Sequence, residues 1–166
     1  MIRPFQESDI QALTDIYNYY VLHTIVTFDF EPYTVKGYLA KITRIHKDFP
    51  CFIYEQDGEV IGFSYASKWR QKPAYNQTVE STVYLHPERK KRGVGSKLYK
   101  ALLDELKEQE YQVVLGGISL PNDESVAFHE KFGFKKVGHF DGVGRKFNKW
   151  IAVGFWQLNL DKWLAS

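Results

Sequence analysis

A single mixed α/β domain, of the α+β kind, is what this sequence predicts. Strand-like and helix-like apolar periodicities alternate along the chain, the pattern of one layered α/β architecture. The 166 residues match the roughly 100–200 residues of one domain. No internal repeat, low-complexity tract or linker interrupts them. Hydrophobic residues make up 44% and charged residues 25%, the proportions of a chain that folds.

The elements follow in order. Ile2–Phe5 is a short first strand. Ser8 is placed to cap a helix in which Ile10, Leu13, Ile16, Tyr17 and Tyr20 recur at helical spacing. The aromatic stretch Thr27–Tyr33 contains Pro32 and reads as a loop. Thr34 caps a second helix to about Phe49, with Tyr38, Leu39, Ile42 and Ile45 on one face and Pro50 as its stop. Phe52–Glu55 and Val60–Tyr65 are strands joined by Asp57-Gly58, a hairpin signal. Trp69–Tyr75 is a loop, and Val79–Leu85 alternates as a strand. A third helix from Gly93 to Glu110 buries Val94, Leu98, Ala101, Leu102 and Leu106. Val113–Ile118 is a short buried strand, and Asn122–Phe132 a fourth helix stopped by Gly133. Val137–Phe140 and Val153–Leu160 are late strands around a glycine-rich loop, Asp141–Trp150.

Composition excludes several functions. A net charge of +2 is too balanced for a general polyanion binder, so nucleic acid is not an expected partner. The lone cysteine, Cys51, excludes an intramolecular disulfide and a thiolate zinc cluster, and it fits a reducing, cytoplasmic compartment. Cys51 reads as a buried strand residue rather than a nucleophile. The N-terminal residues lack an apolar core of signal-peptide length. No run approaches the roughly 18 apolar residues of a spanning helix, so no membrane association is expected. Aromatic residues at 16% suffice for a dense core and for rings lining a pocket.

Chemistry concentrates where the strand ending at Leu85 turns through His86-Pro87-Glu88-Arg89-Lys90-Lys91-Arg92 into Gly93-Val94-Gly95-Ser96. Two glycines let backbone approach a ligand closely, and the helix that follows adds unpaired N–H groups and its positive dipole end. This is an anion site suited to a pyrophosphate. Taken alone, Gly93-Val94-Gly95 also describes a tight turn beside a solvated basic run. A P-loop is absent, and Leu98 stands where a dinucleotide fingerprint needs its third glycine. Just upstream, Glu80 sits in a strand between apolar Val79 and Val83. Partly desolvated there, it would have a raised pKa and could act as a base; on an edge strand it would simply face water. Asn122, Ser125 and His129 share one face at the start of the fourth helix.

Together these residues resemble a known family. The turn resembles the acetyl-CoA-binding motif of the GNAT superfamily of N-acetyltransferases, Q/R-x-x-G-x-G/A, with Lys90 at the first position and Gly93 and Gly95 as the glycines. Lysine departs from the usual Gln or Arg. Asn122, Ser125, His129 and Gly133-Phe134 resemble the second signature, with His129 where many members carry a tyrosine acid. Val79–Leu85, Ile118–Asp123 and Val153–Leu158 are similar to the phosphinothricin acetyltransferase branch, which includes methionine sulfoximine acetyltransferases. Asp57–Val60, Trp69, Ala74-Tyr75 and Thr24–Pro32 fit the same branch, so the resemblance runs to about Leu160.

The resemblance implies one domain over 1–166, with a mixed, mostly antiparallel central sheet, about four flanking helices and a splay between the two central strands. It implies acetyl-CoA as donor, no metal, and a small-molecule amine as acceptor. Val83, Tyr84 and Leu85 would meet the pantetheine arm. Lys90, Lys91, Arg92, Gly93, Val94, Gly95 and Ser96 would hold the pyrophosphate, and Asn122 and Ser125 would complete the donor site. Glu80 is the candidate base and His129 the candidate acid; the reverse assignment, with Glu80 holding the ammonium, stays open. Phe28, Arg70, Lys72, Tyr75 and Thr82 would meet an acceptor carrying acidic groups. A polyamine, aminoglycoside or protein N-terminus is the alternative acceptor, and a CoA-binding sensor without turnover the alternative class. Arg70 and Lys72 disfavour polyamines, and the pairing of Glu80 with His129 disfavours a sensor. The branch implies a homodimer, for which Phe155, Trp156 and Leu158 offer a contact unless they are core.

Overall fold

The computed structural model describes residues 1–89 and 92–163. Its strands are β1 (Ile2–Pro4), β2 (Cys51–Gln56), β3 (Glu59–Lys68), β4 (Thr78–Leu85), β5 (Val113–Leu120), β6 (Lys135–Lys146) and β7 (Lys149–Asn159). Its helices are α1 (Ile10–His23), α2 (Val35–His46), α3 (Val94–Glu108) and α4 (Asp123–Lys131). The strands form one sheet in the order β1-β2-β3-β4-β5-β7-β6. Every neighbouring pair is antiparallel except β4 and β5. That mixed α/β layering is the class the alternating periodicities predict.

Each face of the sheet carries its own core. On one, Leu13, Ile16 and Tyr17 of α1 and Tyr38 and Ile42 of α2 pack on Ile53, Phe63 and Tyr84. On the other, Tyr99, Leu102, Leu103 and Leu106 of α3, all fully buried, pack on Ala66, Val79, Val114, Trp156 and Leu158. Burying each such side chain contributes about 1.5–3 kcal/mol, so the two helical layers hold the sheet between them.

Local rules explain most boundaries. Thr34 Oγ1 accepts from Gly37 N at 3.1 Å and caps α2. Asp57 and Gly58 both have positive φ, 54° and 78°, the geometry of a tight two-residue hairpin. Two expectations fail. Ser8 does not cap α1: a 3₁₀ turn over Glu7–Asp9 precedes the helix. There Asp9 is committed to a bidentate pair with Arg3 (2.7 and 2.8 Å) and to Gln6 N (2.8 Å).

The glycine-rich stretch Asp141–Trp150 is not a loop. It continues a long β6–β7 hairpin across a bulge between Phe140 and Gly144 and turns at Phe147-Asn148, with φ of 50° and 60°. Its glycines serve the bulge, so they do not break the ladder. Of the residues offered as a contact or as core, Trp156 and Leu158 are core. Exposed apolar residues lie instead along the hairpin, at Val137, Phe140, Val143, Phe147 and Trp150.

Left-handed backbone suits Phe147 badly, whereas asparagine tolerates it. The Phe147 ring lies 5.2 Å from Lys146 Nζ, a cation–π contact that offsets the backbone cost.

Candidate active site

The parallel ladder between β4 and β5 is short. It pairs Thr78 with Val113, Val79 with Val114 and Glu80 with Leu115, and then stops, although the strands run on to Leu85 and Leu120. The last rung is anchored: Ser81 Oγ donates to the Leu115 carbonyl at 3.2 Å and lies 2.6 Å from the Tyr99 hydroxyl of α3. Beyond it the sheet splays. His86 N donates to Ile61 O, and Leu85 is paired with Gly62. By strand alternation Val83 and Leu85 therefore aim their own N–H and C=O groups into the splay, while those of Tyr84 face β3. The Leu85 carbonyl accepts from the Tyr20 hydroxyl at 2.8 Å.

A cleft of about 170 Å³ opens at this end. Val83, Tyr84, Leu85, Gly95, Asn122 and Ser125, all singled out in the sequence, line it. Tyr20, Val26, Glu124 and Phe128 line it too and were not singled out as site residues. Nothing in their spacing separates them from core or surface positions. Asn122 caps α4 by accepting from Ser125 N at 3.1 Å.

Gly93 precedes α3 with φ 89°, a left-handed conformation that costs glycine little. Lys97 N is the first amide to bond back, to Gly93 O at 3.0 Å. Among the described residues the amides of Val94, Gly95 and Ser96 thus have no helical partner, as an anion cradle requires. Arg92 is exposed beside them. Lys90 and Lys91 lie outside the described residues. Lys131, from the far end of α4, reaches Ser96 Oγ at 3.4 Å and adds a cation beside the cradle. Its distance in sequence hid it.

Glu80 stands at the last rung, on a central strand rather than an edge. It is half-buried, and burial raises its carboxyl above the ordinary 4.5. His129 is buried, and burial lowers its ring below the ordinary 6.5, partly offset by its bond to the Ser125 carbonyl. That bond, 2.7 Å to Nδ1, requires hydrogen on Nδ1, because a carbonyl only accepts. In the neutral ring Nε2 is therefore an acceptor.

Glu80 and His129 lie on opposite faces of the sheet. A Cβ at Gly117 would lie 3.0 Å from Glu80 Oε1, and one at Gly116 would lie 2.6 Å from His129 Nε2. Consecutive strand residues point to opposite sides. Each group thus closes on bare β5 backbone just past the last rung.

Glu80 and Thr82, both half-buried, share one face. Phe155 lies against Gly117 (3.2 Å from its Cβ position) and stacks edge-on with Trp69 at 5.4 Å and Phe140 at 5.9 Å. Arg70 covers the Trp69 ring at 5.3 Å, which ties it to this wall. Lys72 and Tyr75 are exposed on the β3–β4 connection, without such a tie to Glu80. Phe28 packs on Gly144 of β6. Cys51 is 2% exposed in the core, where burial pushes its thiol up to about 12, unsuited to a nucleophile. Among the described residues no helix is long and apolar enough to cross a membrane.

Comparison with known proteins gives a consistent result. The profile of the acetyltransferase (GNAT) family matches residues 13–134. A phosphinothricin N-acetyltransferase of Streptomyces viridochromogenes is 38% identical, over 96% of this chain and 87% of its own. An L-methionine sulfoximine/L-methionine sulfone acetyltransferase of Salmonella typhimurium is 33% identical, over 99% of this chain and 96% of its own. The crystal structure of a phosphinothricin acetyltransferase from Sinorhizobium meliloti in complex with acetyl-CoA superposes with a TM-score of 0.93. It is 27% identical and covers 100% of this chain and 91% of its own.

The raised carboxyl of Glu80 has a consequence for stability. Folding favours its neutral form, so wild-type stability falls as pH rises from the unfolded value near 4.5 through the higher folded value. Glu80→Gln should therefore be more stable than wild type at about pH 7.5 and equal to it at about pH 4 in urea unfolding.

Proposed function

The chain belongs to the acetyltransferase (GNAT) family, and on that premise we propose that it transfers the acetyl group of acetyl-CoA directly to the α-amino group of a small amino-acid-like acceptor. Phosphinothricin, methionine sulfoximine and methionine sulfone are the acceptors named for its relatives. The carrying observation is the end of the β4–β5 ladder at Glu80 and Leu115. It leaves a strand edge for an extended ligand and sets a desolvated carboxylate at the apex.

Acetyl-CoA supplies an activated acyl group as a thioester. Its site fits the residues present: an edge at Val83 and Leu85 that β5 leaves unpaired, amides at Val94, Gly95 and Ser96 without a helical partner among the described residues, and Asn122 across the cleft. The edge would hold a pantetheine arm by strand-like bonds, and the amides of residues 92–96 would hold the pyrophosphate. Lys131 adds charge there.

The acceptor arrives as an ammonium and must lose a proton before its nitrogen attacks. Glu80, half-buried and with a raised pKa, is the base. A backbone N–H of β4 that faces the splay donates to the developing oxyanion. A thiolate with a pKa near 8.5 departs readily. His129 approaches the same apex from the other face as the acid that meets the sulfur. To serve, it must first gain a proton at Nε2, which burial opposes. Phe28, Trp69 and Phe155 wall the acceptor side chain. Arg70, Lys72, Tyr75 and Thr82 meet its polar and acidic groups. We extend the proposal to a single catalytic domain over residues 1–166 that works in the cytoplasm as a homodimer. The exposed apolar residues along the β6–β7 hairpin support the pairing.

Thiol release from acetyl-CoA over a panel of amino-acid, polyamine, aminoglycoside and peptide acceptors tests the reading; amino acids should give the highest kcat/KM. Glu80→Gln should lower kcat/KM by about 10²–10⁴ and abolish the acidic limb of its pH profile. A variant that keeps that limb and most of the rate would remove Glu80 as base. Arg70→Ala should raise acceptor KM by about tenfold, and an unchanged KM strikes Arg70 from the site.

A further inference from the structure

The connection after α1 is held at every turn. Ser119 Oγ of β5 donates to the Ile25 carbonyl at 2.6 Å. The Thr27 hydroxyl lies 2.8 Å from that of Tyr17, whose own proton goes to Asp29 Oδ2. Asp29 N donates back to Thr27 Oγ1 at 3.3 Å. From β6, Lys146 Nζ donates to the Thr27 carbonyl at 2.8 Å.

Lys146 is the anomaly in this set. It is 2% exposed, and burying an ammonium is costly without a paired charge. Among the described residues no carboxylate lies within ion-pair distance of it. Acetyl transfer as set out above does not use it. Gly144, two residues earlier on the same face of β6, is where the Phe28 ring rests; a Cβ there would collide with that ring. Val26, in the same segment, lines the cleft beside β4. Five residues, Ile25–Asp29, thus border both the donor cleft and the face of Glu80.

We propose that Lys146 is a positioning residue for the acceptor: its bond to the Thr27 carbonyl fixes Ile25–Asp29 so that Phe28 stands on Gly144 as the wall of the acceptor site. The inference rests on reading the Glu80 face as the acceptor side. Lys146 governs acceptor affinity through the loop and leaves donor binding to β4 and α3.

The test uses whichever amine the wild type acetylates. Lys146→Met should raise acceptor KM by about tenfold, leave acetyl-CoA KM within about twofold, and speed hydrogen exchange at the amides of residues 25–29; Lys146→Arg should restore most of the loss. Unchanged loop exchange, or an acceptor KM equal to wild type, overturns the proposal. If Lys146→Met fails to fold, Gly144→Ala displaces Phe28 with the ammonium in place. It should shift acceptor KM alone, and a wild-type KM there overturns the proposal equally. Failure of the functional reading shows elsewhere, as a wild type that acetylates no amine of the panel, and then both fall.

Discussion

Three parallel rungs between β4 and β5 set the geometry of everything else in this molecule. Had the ladder continued to Leu85 and Leu120, the edges of Val83 and Leu85 would be spent and the sheet would be closed. Because it ends at Glu80 and Leu115, pinned there by Ser81 and Tyr99, the strands separate while packed helices hold each face. The first turn of α3 and the cap of α4 then fall at the open end, where amides unpaired in the helix and a capping asparagine share one cleft.

The glycine pair of β5 works with this opening. Gly116 and Gly117 sit immediately past the last rung and are bare on opposite faces. One admits a histidine ring from α4, the other a carboxylate from the neighbouring strand. Neither approach tolerates even a methyl group without displacement. The sheet backbone therefore lies between the two ionisable groups, and each reaches the apex from its own side. That division explains how Glu80 and His129 can share a site without forming a hydrogen-bonded pair.

Much of this was legible in the sequence, for identifiable reasons. Gly93-Val94-Gly95 after a strand, and Asn122 at a helix start, act through local backbone geometry, which short-range patterns encode. The hairpin at Asp57-Gly58 is encoded the same way. What failed or went unseen depends on pairing across the fold. The segment Asp141–Trp150 reads as a loop because glycines punctuate it, yet β7 supplies a partner that outweighs local preference. Tyr20, Lys131 and Phe155 join the site from remote elements, and no spacing rule links them to it. The opposite facing of Glu80 and His129 follows from strand register, which one chain read alone does not specify.

The hydroxyl of Tyr20 gives the open edge of β4 a direction. Among the described residues neither backbone group of Val83 is engaged, whereas at Leu85 the carbonyl already accepts once from α1. A carbonyl has a second lone pair, so the position stays usable. A single phenol thus makes the two positions of the edge unequal and ties the first helix to the strand that borders the cleft.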